Sequence, residues 1–226
     1  MATREPRSKR RRPGVAPPQV ERIPPRSGLS RTEVIANQRR RIFEGLAAAL
    51  AYHGYEDTKI TDIVELSGVS RATFYERFES KEACFEAAYE DGVERLAGAV
   101  EAAAQPAGDW GARLSAGLRA GLDFLAADPA LAHLLLVEAL AAARPARLEH
   151  ERSLVRLAEA LRPPAELPGG EGVPEETARL LAGGLASHLS GRVLAGEGER
   201  LGEDRDLLLE YLLAPSLATN ARVAAG

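Results

Sequence analysis

The sequence predicts an all-α chain in two parts: a small three-helix unit that contains a helix-turn-helix, and a larger helical domain after it. Three observations carry this expectation. Proline is absent from Thr32 to Gln105, and over that stretch apolar residues recur at helical spacing. No segment alternates apolar and polar residues with a period of two, so nothing in the chain asks for a strand. At 226 residues and 45% apolar, the chain is longer than one typical domain and rich enough to fill two cores. The expected boundaries are 1–29 for an amino-terminal arm, 30–80 for the helix-turn-helix unit and 81–226 for the larger domain.

Residues 1–29 hold six of the fourteen prolines, a cluster of arginines and no aromatic residue, too little apolar surface to offset the entropy of ordering. A flexible basic arm is expected there. In the first helix Ile35, Ile42, Leu46, Ala49 and Leu50 share a face, and Gly54 ends it where a positive φ costs least. A second pattern runs from about Lys59 to Leu66 and a third from Arg71 to Phe78. Thr58 is expected to cap the former and Ser70 the latter; Gly68 permits the turn between them and Val69 fills the apolar gap. Ser80 begins a fourth helix that continues to about Ala104. Beyond the break at Pro106-Ala107-Gly108-Asp109, helical stretches are expected at about 110–127, 129–143, 146–161, 175–197 and 203–214. Pro163-Pro164 and Leu167-Pro168-Gly169-Gly170 mark a loop.

Charge is unevenly spread. Residues 1–41 carry twelve basic and three acidic side chains, a balance of +9, so the remainder carries −13 within a total of −4. A cationic end on an acidic body suits a polyanionic partner. The arm, just ahead of the helix-turn-helix, is placed to reach phosphates or an adjacent minor groove. No run approaches the roughly 18–20 apolar residues that cross a bilayer, and Lys9-Arg10-Arg11-Arg12 is followed by Pro13-Gly14-Val15-Ala16-Pro17-Pro18 where an export signal needs apolar residues. A cytoplasmic chain with no membrane partner is expected. The single cysteine, Cys84, forms no intramolecular disulfide and fits a reducing compartment as a small buried hydrophobe.

The segment from Thr58 to Tyr75 carries the functional signal. With Ile60, Ile63 and Val64 facing Val69, Phe74 and Phe78, the outward side of the second short helix keeps Arg71, Ala72, Thr73, Tyr75 and Arg77. Small side chains at Ala72 and Thr73 let a helix amino end approach base edges, and Arg71 can donate to guanine or phosphate. Tyr75 and Lys81 are donors to phosphate oxygens, and Thr58, Lys59, Thr61 and Ser70 stand at the two helix starts, whose free amides favour anions. These ten residues are the expected DNA-binding set.

The run resembles the TetR/AcrR family of regulators. It supplies Gly54-Tyr55, Thr58, Asp62-Ile63, Gly68-Val69-Ser70, Phe74-Tyr75, Phe78 and Ser80-Lys81-Glu82 in the family's order and spacing across about residues 42–85. Val64, Ser67 and Leu50 depart from the commoner alanine, alanine and phenylalanine while keeping small or apolar character. The resemblance implies a homodimer whose last two long helices form a four-helix bundle, and a pocket between middle helices that takes a small-molecule effector. It also implies a repressor released from a palindromic operator, two recognition helices lying about 34 Å apart on one DNA face.

Local sequence agrees with those implications. Leu180, Gly184, Ser187 and Gly191 recur at helical spacing as a smooth stripe against which another helix can lie. His133, Glu138, His188 and Arg192 are polar groups in otherwise apolar helices, and Trp110 and Phe124 are large apolar ones; of these, Trp110, Phe124, His133, Glu138 and His188 are the candidates for lining an effector pocket.

Other chemistry finds little support. His150-Glu151-Arg152-Ser153 starts like a zinc-protease helix but lacks the second histidine, and Gly196 to Gly202 has the wrong glycine spacing for a dinucleotide loop. No metal site, cofactor or catalytic set is expected. The competing readings are an activator or a ligand-independent regulator, and, from another class, a helical enzyme or scaffold with a vestigial helix-turn-helix.

Overall fold

A computed structural model describes residues 30–105, 107–141, 144–162 and 173–224, and every element in it is helical. The arm at 1–29 and the loop at 163–170 lie outside the described residues. The chain divides into two compact units, one ending at Cys84 and the other beginning at Phe85.

The first unit is built on α1 (Arg31–His53), α2 (Ile60–Ser67) and α3 (Arg71–Tyr75), with the start of α4 (Lys81–Ala104). Ser30 and Glu33 form a reciprocal capping box at the start of α1: Glu33 N donates to Ser30 Oγ at 3.3 Å and Ser30 N to Glu33 Oε2 at 2.8 Å. Gly54 ends the helix with φ 78°, as its sequence position required. Thr58 does not cap α2. Its hydroxyl donates to Gly54 O at 2.7 Å and its side chain is buried, so it fastens the loop after α1. The free amide at Lys59, the residue before α2, donates instead to Asp62 Oδ2 at 2.8 Å.

Ser70 does cap α3, accepting from Thr73 N at 3.0 Å, and Ser80 caps α4, accepting from Ala83 N at 3.1 Å. Helix α3 is shorter than the expected Arg71–Phe78, because Arg77 N bonds to Phe74 O at 3.0 Å and tightens the last turn. Behind these elements Ile42, Leu46, Leu50, Ile63 and Phe74 are fully buried, and Phe74 and Phe43 each pack on Phe78 with ring centroids 5.9 and 5.7 Å apart. Val69, the expected plug, is half-buried.

The second unit contains α5 (Trp110–Ala127), α6 (Pro129–His133), a π-helical turn (Leu134–Glu138), α7 (Ala139–Ala141), α8 (Arg144–Ala160), α9 (Glu175–Leu194), a 3-10 segment (Gly198–Asp204) and α10 (Arg205–Ala224). Asp109 caps α5 and Asp128 caps α6, the latter with Pro129 at the first helical position, where its missing N–H costs nothing. The π turn interrupts what the sequence suggested was one plain helix from Pro129. The Ser190 hydroxyl of α9 sits 2.7 Å from Leu136 O inside that turn. The last helix begins later than Glu203 and runs past Ala214 to Ala224, so Pro215 interrupts one hydrogen bond without ending it. The buried faces of α5 (Leu114, Leu118, Leu122, Leu125) and α9 (Leu181, Leu185, Leu189, Val193) supply much of the core. Among the described residues no single helix is long and apolar enough to cross a membrane.

Candidate nucleic-acid interface

The first unit presents the outer side of α3 to solvent. Arg71, Ala72 and Tyr75 are exposed, Tyr75 at 46%, and Thr73 is half-buried with its hydroxyl 2.8 Å from Ser70 Oγ. The Arg71 guanidinium lies over the Tyr75 ring at 5.6 Å, with Nη2 3.5 Å from the phenol oxygen, so two donors are presented side by side. Ala72 adds no bulk between them and the amino end of the helix. Burial of Phe74 directs this arrangement, because it turns its neighbours at 71, 72 and 75 outward. Lys59 and Thr61 are exposed at the start of α2.

Three members of the expected set, Thr58, Lys81 and Arg77, are engaged with α1 or the loop that follows it. Thr58 is 2% exposed and its hydroxyl is used on Gly54 and Ala49 carbonyls. Lys81 Nζ donates to Tyr55 O at 2.7 Å and Thr58 O at 3.1 Å and lies 4.3 Å from the centre of the Tyr55 ring. Two of its three N–H donors are thus used in closing the loop between α1 and α2, leaving one. Arg77 is half-buried and donates from Nη2 to Gln38 Oε1 at 3.2 Å.

Arg41, which sequence reasoning left among the basic residues of the first 41, is also placed by the fold. It donates from Nε to Ser67 O at 3.0 Å and from Nη2 to Gly68 O at 2.9 Å. Its neighbours do something else: Arg39 lies over the Phe43 ring and Arg40 faces Glu44. The helical register of α1 turns the three in different directions, and the acceptors that Arg41 meets, Ser67 O and Gly68 O, lie 26 and 27 positions away. Gly68 itself adopts φ 62°, ψ 24°, the left-handed turn its position called for.

In the second unit the structure brings two of the effector candidates together. His133 Nδ1 stands 3.5 Å from Glu138 Oε1 across the π turn, and both residues are buried. The one-residue expansion of that turn is what lets side chains five apart meet. His188 pairs instead with Asp204, Nε2 to Oδ2 at 2.8 Å, and Phe124 has the Arg95 guanidinium 5.5 Å above its ring. Trp110 is half-buried at the first position of α5. A further buried polar pair escaped sequence reasoning: the Tyr89 hydroxyl lies 3.0 Å from His150 Nδ1. Burial holds that imidazole below its ordinary value and pushes the phenol above its own. Nothing in the local sequence of either residue signals the other, 61 positions away.

Leu180, Gly184, Ser187 and Gly191 all lie on the exposed side of α9, with Leu180 at 74%. Tyr211 of α10 donates to Leu180 O at 3.2 Å and its hydroxyl covers Gly184, where any side chain would collide with it. Leu194 and Leu207 are exposed at 62% and 60%.

Residues 42–88 match the family model described as bacterial regulatory proteins, tetR family. No curated protein matches the chain in sequence. Among solved structures, the chain is similar to the fatty acid degradation regulator FadR of Bacillus halodurans, with 21% identity over 78% of this chain and 94% of that one and a TM-score of 0.69. It is similar to the transcriptional regulator FadR of Bacillus subtilis in complex with stearoyl-CoA, at 19% identity over 76% and 96% and a TM-score of 0.64. A TetR family regulator from Marinobacter aquaeolei VT8 matches at 17% identity over 80% and 97%, with a TM-score of 0.60. The matched family and these proteins are regulators, not enzymes. Residues 42–88 thus carry the amino-terminal signature of the tetR family of bacterial regulatory proteins, and the fold of the chain is similar to that of TetR-family regulators.

Proposed function

We propose that the chain works as a homodimeric repressor, in the cytoplasm, that leaves a palindromic operator when a small molecule binds its second unit. The observation that carries the reading is the exposed side of α3, where Arg71 and Tyr75 flank the small Ala72 at a capped helix start. Arg71 reads a base edge or anchors a phosphate, Thr73 and Ala72 allow the helix to enter the groove, and Tyr75 donates to the backbone. Lys59, Thr61 and Ser70 contribute phosphate contacts from the two helix starts. The arm, residues 1–29, adds charge; if it engages DNA, a chain lacking it shows a shallower dependence of affinity on salt.

Dimerisation through α9 and α10 is supported by a surface on which Leu180, Leu194, Leu207 and Tyr211 are all exposed around the glycines at 184 and 191. An effector site in the second unit is supported by its apolar interior and by the buried His133–Glu138 pair, which offers polarity in a dry environment. A long-chain acyl-CoA, of the kind bound in the Bacillus subtilis structure, is the first probe to try. Release requires the ligand to favour a dimer whose recognition helices are wrongly spaced; a coupling of about 3 kcal/mol weakens DNA binding roughly 150-fold.

The test begins with in-vitro selection of duplexes by the full chain, followed by footprinting. A protected palindrome lost on Arg71→Ala or Tyr75→Ala, with helix content unchanged, supports the reading. Wild-type protection by both variants refutes the assignment to α3, and failure to enrich any sequence refutes DNA recognition. Transcription in vitro from the selected site separates repression from activation by its sign.

A further inference from the structure

One face of α1 reaches both ends of the recognition helix. At Gly45 the missing side chain brings α1 close to α2: a Cβ there would sit 2.7 Å from Ser67 N and 2.9 Å from Ile63 O. One helical turn earlier on the same face, Arg41 spans Ser67 O and Gly68 O with two charge-assisted hydrogen bonds. Those carbonyls belong to the exit of α2, where a helix has no internal donors left and carries partial negative charge. A planar guanidinium meets both at once, which a lysine ammonium does not do in the same geometry. Gln38, three residues before Arg41, accepts from Arg77 just past the end of α3 at 3.2 Å.

The consequence follows from the length of α3. Five residues are little more than one turn, too few to hold their own direction in water. Phe74, fully buried, fixes which face of that helix turns inward, and its direction is set with it where the chain enters, at the Gly68 turn, and where it leaves, at Arg77.

We propose that Arg41 is a positioning residue for DNA recognition: it fixes the Gly68 turn, and with it the aim of α3, without touching DNA. The proposal rests on α3 being the helix that reads bases. It also separates Arg41 from the neighbouring arginines, which a composition-based view treats as one phosphate-binding cluster.

The test uses the full chain and a duplex enriched by the wild-type protein, with an unrelated duplex of equal length beside it, both titrated across a range of salt. Arg41→Gln is expected to weaken the enriched duplex roughly tenfold or more, the equivalent of about 1.4 kcal/mol. The salt slope and the affinity for the unrelated duplex stay at wild-type values, because no phosphate contact is lost. Arg41→Lys keeps the charge and the stem but not the two-carbonyl span, so it is expected to lose enriched-duplex affinity as well and to exchange the amides of residues 69–73 faster. If Arg41→Gln does not fold, Arg41→Lys decides.

Two results overturn the proposal: wild-type affinity in both variants, or a slope reduced by about 0.9 in Arg41→Gln and restored by lysine, which makes Arg41 a phosphate ligand. Arg71→Ala serves as the reference. If it binds the enriched duplex normally, the reading of α3 fails; if it loses binding while Arg41→Gln keeps it, only the positioning role fails.

Discussion

Replacing Gly45 by alanine puts two physical effects in opposition. In the middle of a helix the substitution gains roughly 0.8–1.0 kcal/mol of propensity. Against that, the new Cβ would lie 2.7 Å from Ser67 N, 2.9 Å from Ile63 O and 2.9 Å from Ser67 Cβ. The shortest of these falls about 0.7 Å short of ordinary contact, and two of the three atoms are helix backbone that no rotamer change can move aside. Forcing α1 and α2 apart costs toward the upper end of the range for overpacking, roughly 2–3 kcal/mol, so the net expectation is a loss of about 1–2 kcal/mol.

Cys84 provides the assay. It is the only cysteine, it lies in the first unit, and it is fully buried, with its thiol pushed up to about 12 by desolvation. Its labelling by a disulfide reagent therefore reports opening of its surroundings, and Gly45→Ala should speed labelling roughly 5- to 30-fold. Gly98→Ala, with nothing within 4 Å of the new methyl, is the counterpart on an open helix face and should raise the urea midpoint followed by circular dichroism. If Gly45→Ala labels more slowly than wild type, helix propensity outweighs the steric contact and the close packing of α1 on α2 is not a constraint.

Other perturbations have equally definite signs. Leu180→Glu places charge on a residue that is 74% exposed, so helix content should not change, while sedimentation should shift toward the monomer; an unaltered dimer removes α9 from the interface. The native thiol of Cys84 should resist labelling for as long as the fold is intact and react promptly in urea, and fast native labelling contradicts its burial. Because burial depresses the His150 imidazole below its ordinary 6.5, the folded state resists protonation that the unfolded chain accepts. Its contribution is fully present above 6.5 and is lost as pH falls from there through the lower folded value. The urea midpoint should therefore fall between about pH 7.5 and 5.5, less so in His150→Gln, and equal pH slopes in the two proteins would exclude His150 as the cause.

Much of the first unit was legible because its instructions are local. Ser70 and Ser80 cap the helices they precede, Gly54 and Gly68 take the positive φ values their positions require, and the burial of Phe74 leaves Arg71, Ala72 and Tyr75 outward. Helical periodicity and capping act over three or four residues, so one sequence suffices to read them. The α9 stripe was legible for the same reason, although what covers it was not.

The partners of polar side chains were not legible, since a hydrogen-bond donor finds its acceptor in space rather than along the chain. Thr58 and Lys81 looked like surface groups and instead close the loop after α1. Arg41 looked like its two neighbours until α2 was folded against Gly45. The continuation of α10 through Pro215 and the π turn at Leu134–Glu138 likewise depart from what local sequence preference suggests. The sequence alone thus determined where the helices of the first unit begin and that Arg71, Ala72 and Tyr75 of α3 meet solvent. Only the tertiary structure decided which cations remain free for an anionic partner, because that depends on carbonyls and carboxylates brought close by elements distant along the chain.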